Sequence, residues 1–164
     1  AIGIMKAIKH VDEKMPAIKT LVVDDWQYMS SFEYFDRANE KGYDKFTQIA
    51  ANLAMVAKMP KDLRDDLTVI FLTHSEDSTD LNGNRKVKAK TIGKMIDNTL
   101  TLEGLFSIVL FGKVNKNDDG ELEYGFETQN NGENTCKSPQ GMFEDFFIPN
   151  NLQYVKDCIK KYEE

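Results

Sequence analysis

Thr20-Leu21-Val22-Val23-Asp24-Asp25 is a short apolar, β-branched run that ends abruptly in two acids. Apolar residues in succession, rather than in alternation, fit a strand covered on both faces, as in a parallel sheet. A second such run, Leu67-Thr-Val-Ile-Phe-Leu-Thr73, ends in the polar group Thr73-His74-Ser75-Glu76. Two helical patterns lie between them. One runs from about Trp26 to Asn39 and is stopped by Lys41-Gly42. The other runs from Asp44, a good N-cap residue, to Lys58, with Phe46, Ile49, Ala50, Leu53 and Ala57 on its inner face. Strand, helices, strand predicts a right-handed parallel crossover. Val22, Val23, Val69, Ile70 and Leu72 are then expected to be buried in adjacent strands.

Outward from this centre, Gly3 to Met15 places Ile4, Ala7, Ile8 and Val11 on one helical face, and Pro16 closes it. Glu76 to Lys90 has few apolar residues around Asn82-Gly83 and reads as a long flexible loop. Thr91 to Asn98 reads as a short helix. Phe106 to Val114 and Glu121 to Thr128 read as strands paired across Asn117-Asp-Asp-Gly120, whose Asp-Gly step is a hairpin signal. A polar stretch from Gln129 to Pro139 leads to a last helix from about Asn151 to Tyr162. A length of 164 residues suits one domain spanning 1–164.

The composition excludes some classes. No apolar run approaches the roughly 20 residues of a membrane helix, and no signal-peptide pattern opens the chain, so a cytoplasmic location is expected. A net charge of −6 argues against coating nucleic acid with the whole surface, but leaves room for a local basic strip. Cys136 and Cys158 have neither CxxC spacing nor a nearby His cluster, and read as two free thiols. Asn115-Lys-Asn-Asp-Asp-Gly120 opens like a calcium loop, but Phe126 stands where the closing Glu is needed.

Three groups can carry chemistry. An acid at the tip of a buried strand can hold the water shell of a nucleotide-bound Mg²⁺, and it can equally cap the helix that follows. Tips of neighbouring parallel strands lie about 5 Å apart, so Asp24, Asp25 and His74 can share one cleft. His74 there either senses a phosphate or caps a loop. Gly83 to Lys94 holds five positive charges (Arg85, Lys86, Lys88, Lys90, Lys94) and no acid. Such a stretch either tracks phosphates by charge neutralisation or forms a solvated hairpin.

Several stretches together resemble a known family: Thr20-Leu-Val-Val-Asp-Asp-Trp-Gln-Tyr-Met29, Arg37-Ala-Asn-Glu-Lys-Gly-Tyr-Asp-Lys-Phe46 and Phe71-Leu-Thr-His-Ser-Glu76. Lys88-Ala-Lys-Thr-Ile-Gly-Lys-Met-Ile-Asp97 and Cys136-Lys-Ser-Pro-Gln-Gly-Met-Phe143 follow in the same order. They are similar to bacteriophage RecA-like ATPases of the AAA class, nucleotide-binding proteins associated with single-strand DNA recombination. The resemblance covers nearly the whole chain from Thr20. It implies an α/β fold, a RecA-like P-loop NTPase core with a mostly parallel sheet flanked by helices and a C-terminal β-hairpin. It further implies ATP and Mg²⁺ as cofactors, with Asp24 holding Mg²⁺ through water, Asp25 polarising the attacking water and His74 sensing the γ-phosphate. Arg85, Lys86, Lys88 and Lys90 correspond to a single-stranded DNA-binding loop, and Lys90 or Lys94 to a contact with a neighbouring subunit's nucleotide. Self-association as a ring or filament, in a phage-infected or lysogenic host cell, belongs to the same expectation.

One element of the family pattern is missing. No G-x-x-x-x-G-K-[ST] occurs in these 164 residues, and Gly93-Lys94-Met95 lacks the upstream Gly and the Ser/Thr ligand. The family places that motif on a strand, loop and helix ahead of the first helix seen here. The chain therefore reads as the portion after the phosphate-binding loop, not expected to hydrolyse ATP alone. The alternative is a non-catalytic binding or assembly protein with the same fold.

Overall fold

In the computed structural model, which describes residues 1–91 and 100–164, Thr20 and Thr68 open two short strands that run side by side. β1 (Thr20–Val23) pairs with β2 (Thr68–Phe71) in parallel, with Leu21 opposite Val69 and Val22 opposite Ile70. Between them come α2 (Tyr28–Asp36), α3 (Asp44–Lys58) and a 3₁₀ turn (Met59–Asp62), after α1 (Ile2–Lys14). β3 (Ser75–Thr79) and β4 (Arg85–Ala89) pair with each other. A 3₁₀ turn (Leu102–Leu105), β5 (Phe111–Lys116), β6 (Leu122–Glu127), β7 (Phe147–Pro149) and α4 (Leu152–Glu163) complete the chain. Its contacts divide it into two compact units.

The first unit comprises Ala1–Glu76 and Ala89–Leu105. Its core is the inner face of α3, where Ile49, Ala50, Leu53, Val56 and Ala57 are buried, together with Ile8 of α1, Trp26, Met29 and Leu102. The spacing of those α3 residues is the helical one, and the helix keeps the limits its periodicity predicts. Asp44 is its first residue rather than its cap, and makes no capping hydrogen bond. Phe46 is only half-buried. The buried Lys45 reaches back along its stem to donate to the Arg37 carbonyl (3.3 Å), with Tyr34 and Phe46 rings beside its ammonium.

Arg64 organises the far end of α1. Its guanidinium donates to the carbonyls of Val11 (3.0 Å), Asp12 (2.6 Å) and Ile18, and its backbone N–H to the Asp12 carboxylate (3.0 Å). A helix C-terminus leaves its last carbonyls without intrahelical partners. Arg64 satisfies that of Asp12, adds a bond to that of Val11, which also accepts from the Met15 N–H, and ties in the Ile18 carbonyl beyond the helix.

The second unit comprises Asp77–Lys88 and Phe106–Glu164. β5, β6 and β7 form an antiparallel sheet in that order, with the β5–β6 turn closed by Gly120 at φ 79°. Buried side chains include Val87, Cys136, Met142, Ile148 and Val155. Glu127 is buried too, and its carboxylate is held by the Lys113 ammonium (2.6 Å) and by the amides of Asn131 and Asn134. A buried charge needs such full pairing. Asn151 caps α4, its side chain accepting from the N–H groups of Gln153 and Tyr154.

The expected RecA-like core with a mostly parallel sheet is not what forms. Among the described residues the strands form three separate small sheets, and only β1–β2 is parallel. Within the runs expected to form a hairpin, Phe111–Lys116 and Leu122–Glu127 do pair antiparallel across the Asp-Gly turn, while Phe106 to Leu110 lies outside that pair. The parallel pair itself arises as predicted, but its five named residues are not buried. Val22 and Leu72 are exposed and Val23, Val69 and Ile70 only half-buried, because two strands cannot cover both faces of each other. Leu72 also lies just beyond β2.

Glu76 to Lys90 is not a flexible loop but the β3–β4 pair. Asp80 closes its turn, accepting from the N–H groups of Asn82 and Asn84 (2.9 Å each), and Gly83 takes φ 84°. The helix expected from Thr91 to Asn98 falls, apart from Thr91, outside the described residues.

Candidate functional site at the tip of the parallel pair

The turn after β1 is bound to the end of β2 through the backbone. The Leu72 N–H donates to the Val23 carbonyl (2.9 Å), and the Trp26 N–H to the Leu72 carbonyl (3.2 Å). Trp26 is buried with its ring 5.0 Å from that of Phe71. Between these anchors Asp25 adopts φ 50°, a left-handed conformation that L-residues other than Asn, Asp and Gly rarely take. Its carboxylate Oδ1 accepts from His74 Nε2 (3.0 Å) and from Gln27 Nε2 (3.2 Å). The Tyr28 ring stands edge-on to the His74 ring at 6.1 Å.

Asp24 and Asp25 are both exposed and line one open cleft of about 740 Å³, together with the N-terminal turn of α1 and one face of α2. His74 meets Asp25 but does not line that cleft. The sequence-based reading expects Asp24, Asp25 and His74 in one cleft; the two acids share it, while His74 meets Asp25 from outside its lining. That reading misses Gln27, Tyr28 and the carboxylates of α2, Glu33 and Asp36, which share the cleft or its rim. Only the run Trp-Gln-Tyr-Met directly after the acids signals them, through its position.

The donor set sets limits on a ligand. Among the described residues, no cluster of three His, Cys, Asp or Glu side chains is placed to hold a metal ion directly. Two carboxylates at a strand tip suit a Mg²⁺ ion that keeps most of its water, as that ion does. The phosphates of a nucleotide are a different matter. Asp24, Asp25, Glu33 and Asp36 all line the cleft, and among the described residues no Lys, Arg or His side chain does. This lining suits a hydrated cation and does not suit a nucleotide's phosphates.

The predicted DNA-binding cations lie elsewhere and in a different setting. Arg85, Lys86 and Lys88 are on β4, not in a loop. The Arg85 guanidinium is held by Asp77 (2.7 Å) and Glu133 (3.7 Å), and its pKa is raised, chiefly by the hydrogen bond it donates to Asp77. Lys86 donates to the Gly132 carbonyl, and Lys88 is half-buried. Lys90 is exposed, its N–H donating to the His74 carbonyl (2.8 Å). Lys94 lies outside the described residues.

Comparison with protein-family models, curated proteins and solved structures finds no match for this chain. Its chemistry has to be argued from its own residues. No described helix is long and apolar enough to cross a membrane.

Proposed function

We propose that this protein binds ATP and acts with single-stranded DNA, and that the tip of β1–β2 is the Mg²⁺ side of its nucleotide site. One observation carries the reading: two parallel strands deliver Asp25 and His74 within 3.0 Å of each other at their carboxyl ends. Ligands of open α/β sheets bind at that end, where side chains from neighbouring strands converge. The family resemblance from Thr20 onward supports the same assignment. Asp24, exposed and with no ion pair to a described residue, would hold the water shell of a Mg²⁺ ion. Asp25 and His74, a hydrogen-bonded pair beside it, would orient a water of that shell. The cations that neutralise the phosphates come from outside the cleft. Self-association into a ring or filament is one way to bring them and is part of this proposal.

A non-catalytic binding or assembly role is the second reading. The same cleft favours it, since four carboxylates with no Lys, Arg or His side chain among the described lining are the reverse of a phosphate cradle.

Trp26 is the only tryptophan and directly follows the acid pair, so its emission reports on the site. Titration with Mg²⁺·ATP is expected to change that emission in the wild-type protein. The change should vanish when EDTA removes the metal, and in Asp24→Asn. No change at millimolar Mg²⁺·ATP, or one that survives both EDTA and the substitution, refutes the nucleotide reading and leaves the second.

A further inference from the structure

We propose that the cleft between the first turn of α1 and the outer face of α2 is a docking groove for a basic amphipathic helix of a partner protein. The walls are apolar: Ile2 and Ile4 on one side, Tyr28 and Phe32 on the other. Much of that surface is left in water, Phe32 being 65% and Ile2 67% exposed. Phe35, at 69% exposure, continues the stripe beyond the cleft. Tyr28, Phe32 and Phe35 recur at spacings of four and three, so they share one face of α2. The Tyr28 and Phe32 rings stack at 6.0 Å. Contiguous exposed apolar surface with a polar rim marks an interaction site rather than an ordinary solvated helix.

Charge selects the occupant. Glu33 is already engaged by Arg37 (3.3 Å) and by the Asn52 amide (2.7 Å). Asp24 and Asp36 make no ion pair with a described residue, and they flank the apolar stripe, one before α2 and one at its last residue. A nine-residue helix is roughly 13 Å long, which a partner helix spans in about two to three turns. An apolar face with Lys or Arg at both ends matches this pattern of acid, aromatic stripe and acid. A volume of about 740 Å³ has room for several large side chains. This is the helix-in-groove mode, in which apolar anchors give affinity and flanking charges give orientation. The inference goes beyond the nucleotide reading, because it turns on Phe32, Phe35 and Asp36, to which that reading gives no role. Asp24 and the cleft are common to both, so helix and nucleotide would exclude one another.

The test is a titration with a two-heptad amphipathic peptide of Leu and Lys, read by Trp26 emission and by calorimetry. The same peptide with Glu for Lys is the control. Phe32→Ser and Asp36→Asn alter exposed positions, and unchanged circular dichroism checks their folding. The Leu/Lys peptide is expected to bind the wild type and Glu163→Gln, a carboxylate loss at the far end of α4, equally well. Binding should fall about tenfold or more in Phe32→Ser/Asp36→Asn, as it does when central anchors are removed. Equal binding to all variants would reduce the effect to attraction by net charge, and equal binding of the Leu/Glu peptide would remove the charge argument. Either result overturns the proposal. So does concentration-dependent dimerisation lost in Phe32→Ser without peptide binding, which assigns the groove to a second copy of the chain. The Mg²⁺·ATP titration is scored separately, so loss of one signal leaves the other standing.

Discussion

His74 Nε2 lies 3.0 Å from Asp25 Oδ1, and this contact joins the segment after β2 to a residue whose backbone sits at φ 50°. The left-handed conformation turns the chain away from β1 immediately after the acid pair, so that Trp26 can bury its ring and donate to Leu72. Asn tolerates that conformation and keeps an acceptor oxygen. Asp25→Asn is therefore expected to stay within about 0.5 kcal/mol of wild type. A β-branched residue cannot adopt it cheaply, and Asp25→Val should lose about 1–2 kcal/mol, the cost of a left-handed L-residue. Urea denaturation followed by Trp26 emission separates the two. Equal stability would mean that the turn relaxes without consequence.

Gly125 presents a second steric constraint, in the sheet of the other unit. A Cβ there would lie 2.6 Å from the backbone carbonyl oxygen of Ile148 and would also overlap the Phe147 ring. A ring can swing aside, whereas a paired backbone cannot. Gly125→Ala is expected to destabilise by about 1–3 kcal/mol, as overpacking does. Phe147→Leu in the same chain should restore only part of it. Full rescue in thermal melts would show that the ring alone is the obstacle.

How much of this was legible in the sequence depended on where the apolar residues fell. α3 was readable to its ends because Ile49, Leu53 and Val56-Ala57 carry a strong helical period, and the β5–β6 hairpin because Asp119-Gly120 demands a turn. β3–β4 was not, since Val87 is its only buried apolar side chain and its strands are written in Ser, Glu, Asp, Arg and Lys. What fixes it is cross-strand pairing, Arg85 with Asp77 and the Ser78 hydroxyl with the Lys86 carbonyl. Asn82-Gly83 pointed to this turn, but low hydrophobicity outweighed it. The burial of Glu127 was equally hidden, because its amide partners come from a stretch that reads as polar loop. At the site, the meeting of a strand-tip acid with the histidine after the next strand was within reach of the pattern. The lack of a Lys, Arg or His side chain among the described residues of the acids' cleft was not, since it depends on which helix faces close around them.

The two cysteines should behave differently. Cys136 is buried, and desolvation, with the nearby Glu127 charge, pushes its thiol up to about 12. Cys158 is half-buried on α4, where the Tyr154 phenol hydrogen-bonds to it. A disulfide-exchange reagent at mild alkaline pH is expected to modify Cys158 first, and Cys136 only when denaturant is added. Cys158→Ser should abolish the fast phase. The sign of the pH effect follows from the raised thiol. An unfolded thiol ionises near 9.0 and Cys136 near 12, so the contribution to stability is intact below 9.0 and declines as pH rises between them. Alkaline melts that fall as steeply in Cys136→Ser as in wild type would assign the decline to other groups.

If Arg85, Lys86 and Lys88 of β4 each met a phosphate of a nucleic acid, replacing all three with Ala would flatten the salt slope by about 2.1 units at roughly 0.7 per contact. The pairing of Arg85 with Asp77 and Glu133 changes that expectation. A guanidinium already neutralised by carboxylates releases few counterions, and Lys88 is half-buried, whereas Lys86, donating to the Gly132 carbonyl with the Asp80 carboxylate nearby, keeps more of its charge for a phosphate. The triple change should then flatten the slope by about 0.7 units, and Arg85→Ala alone by little. Asp77→Asn should act in the opposite direction, strengthening binding and steepening the slope, because it frees Arg85 and removes an anion from β3. The measurement is fluorescence anisotropy of a labelled oligothymidine at several salt concentrations. If Asp77→Asn leaves affinity unchanged and the triple variant keeps the wild-type slope, β3–β4 is a solvated hairpin whose charges serve only each other. Single-stranded DNA would then have to be met by another surface.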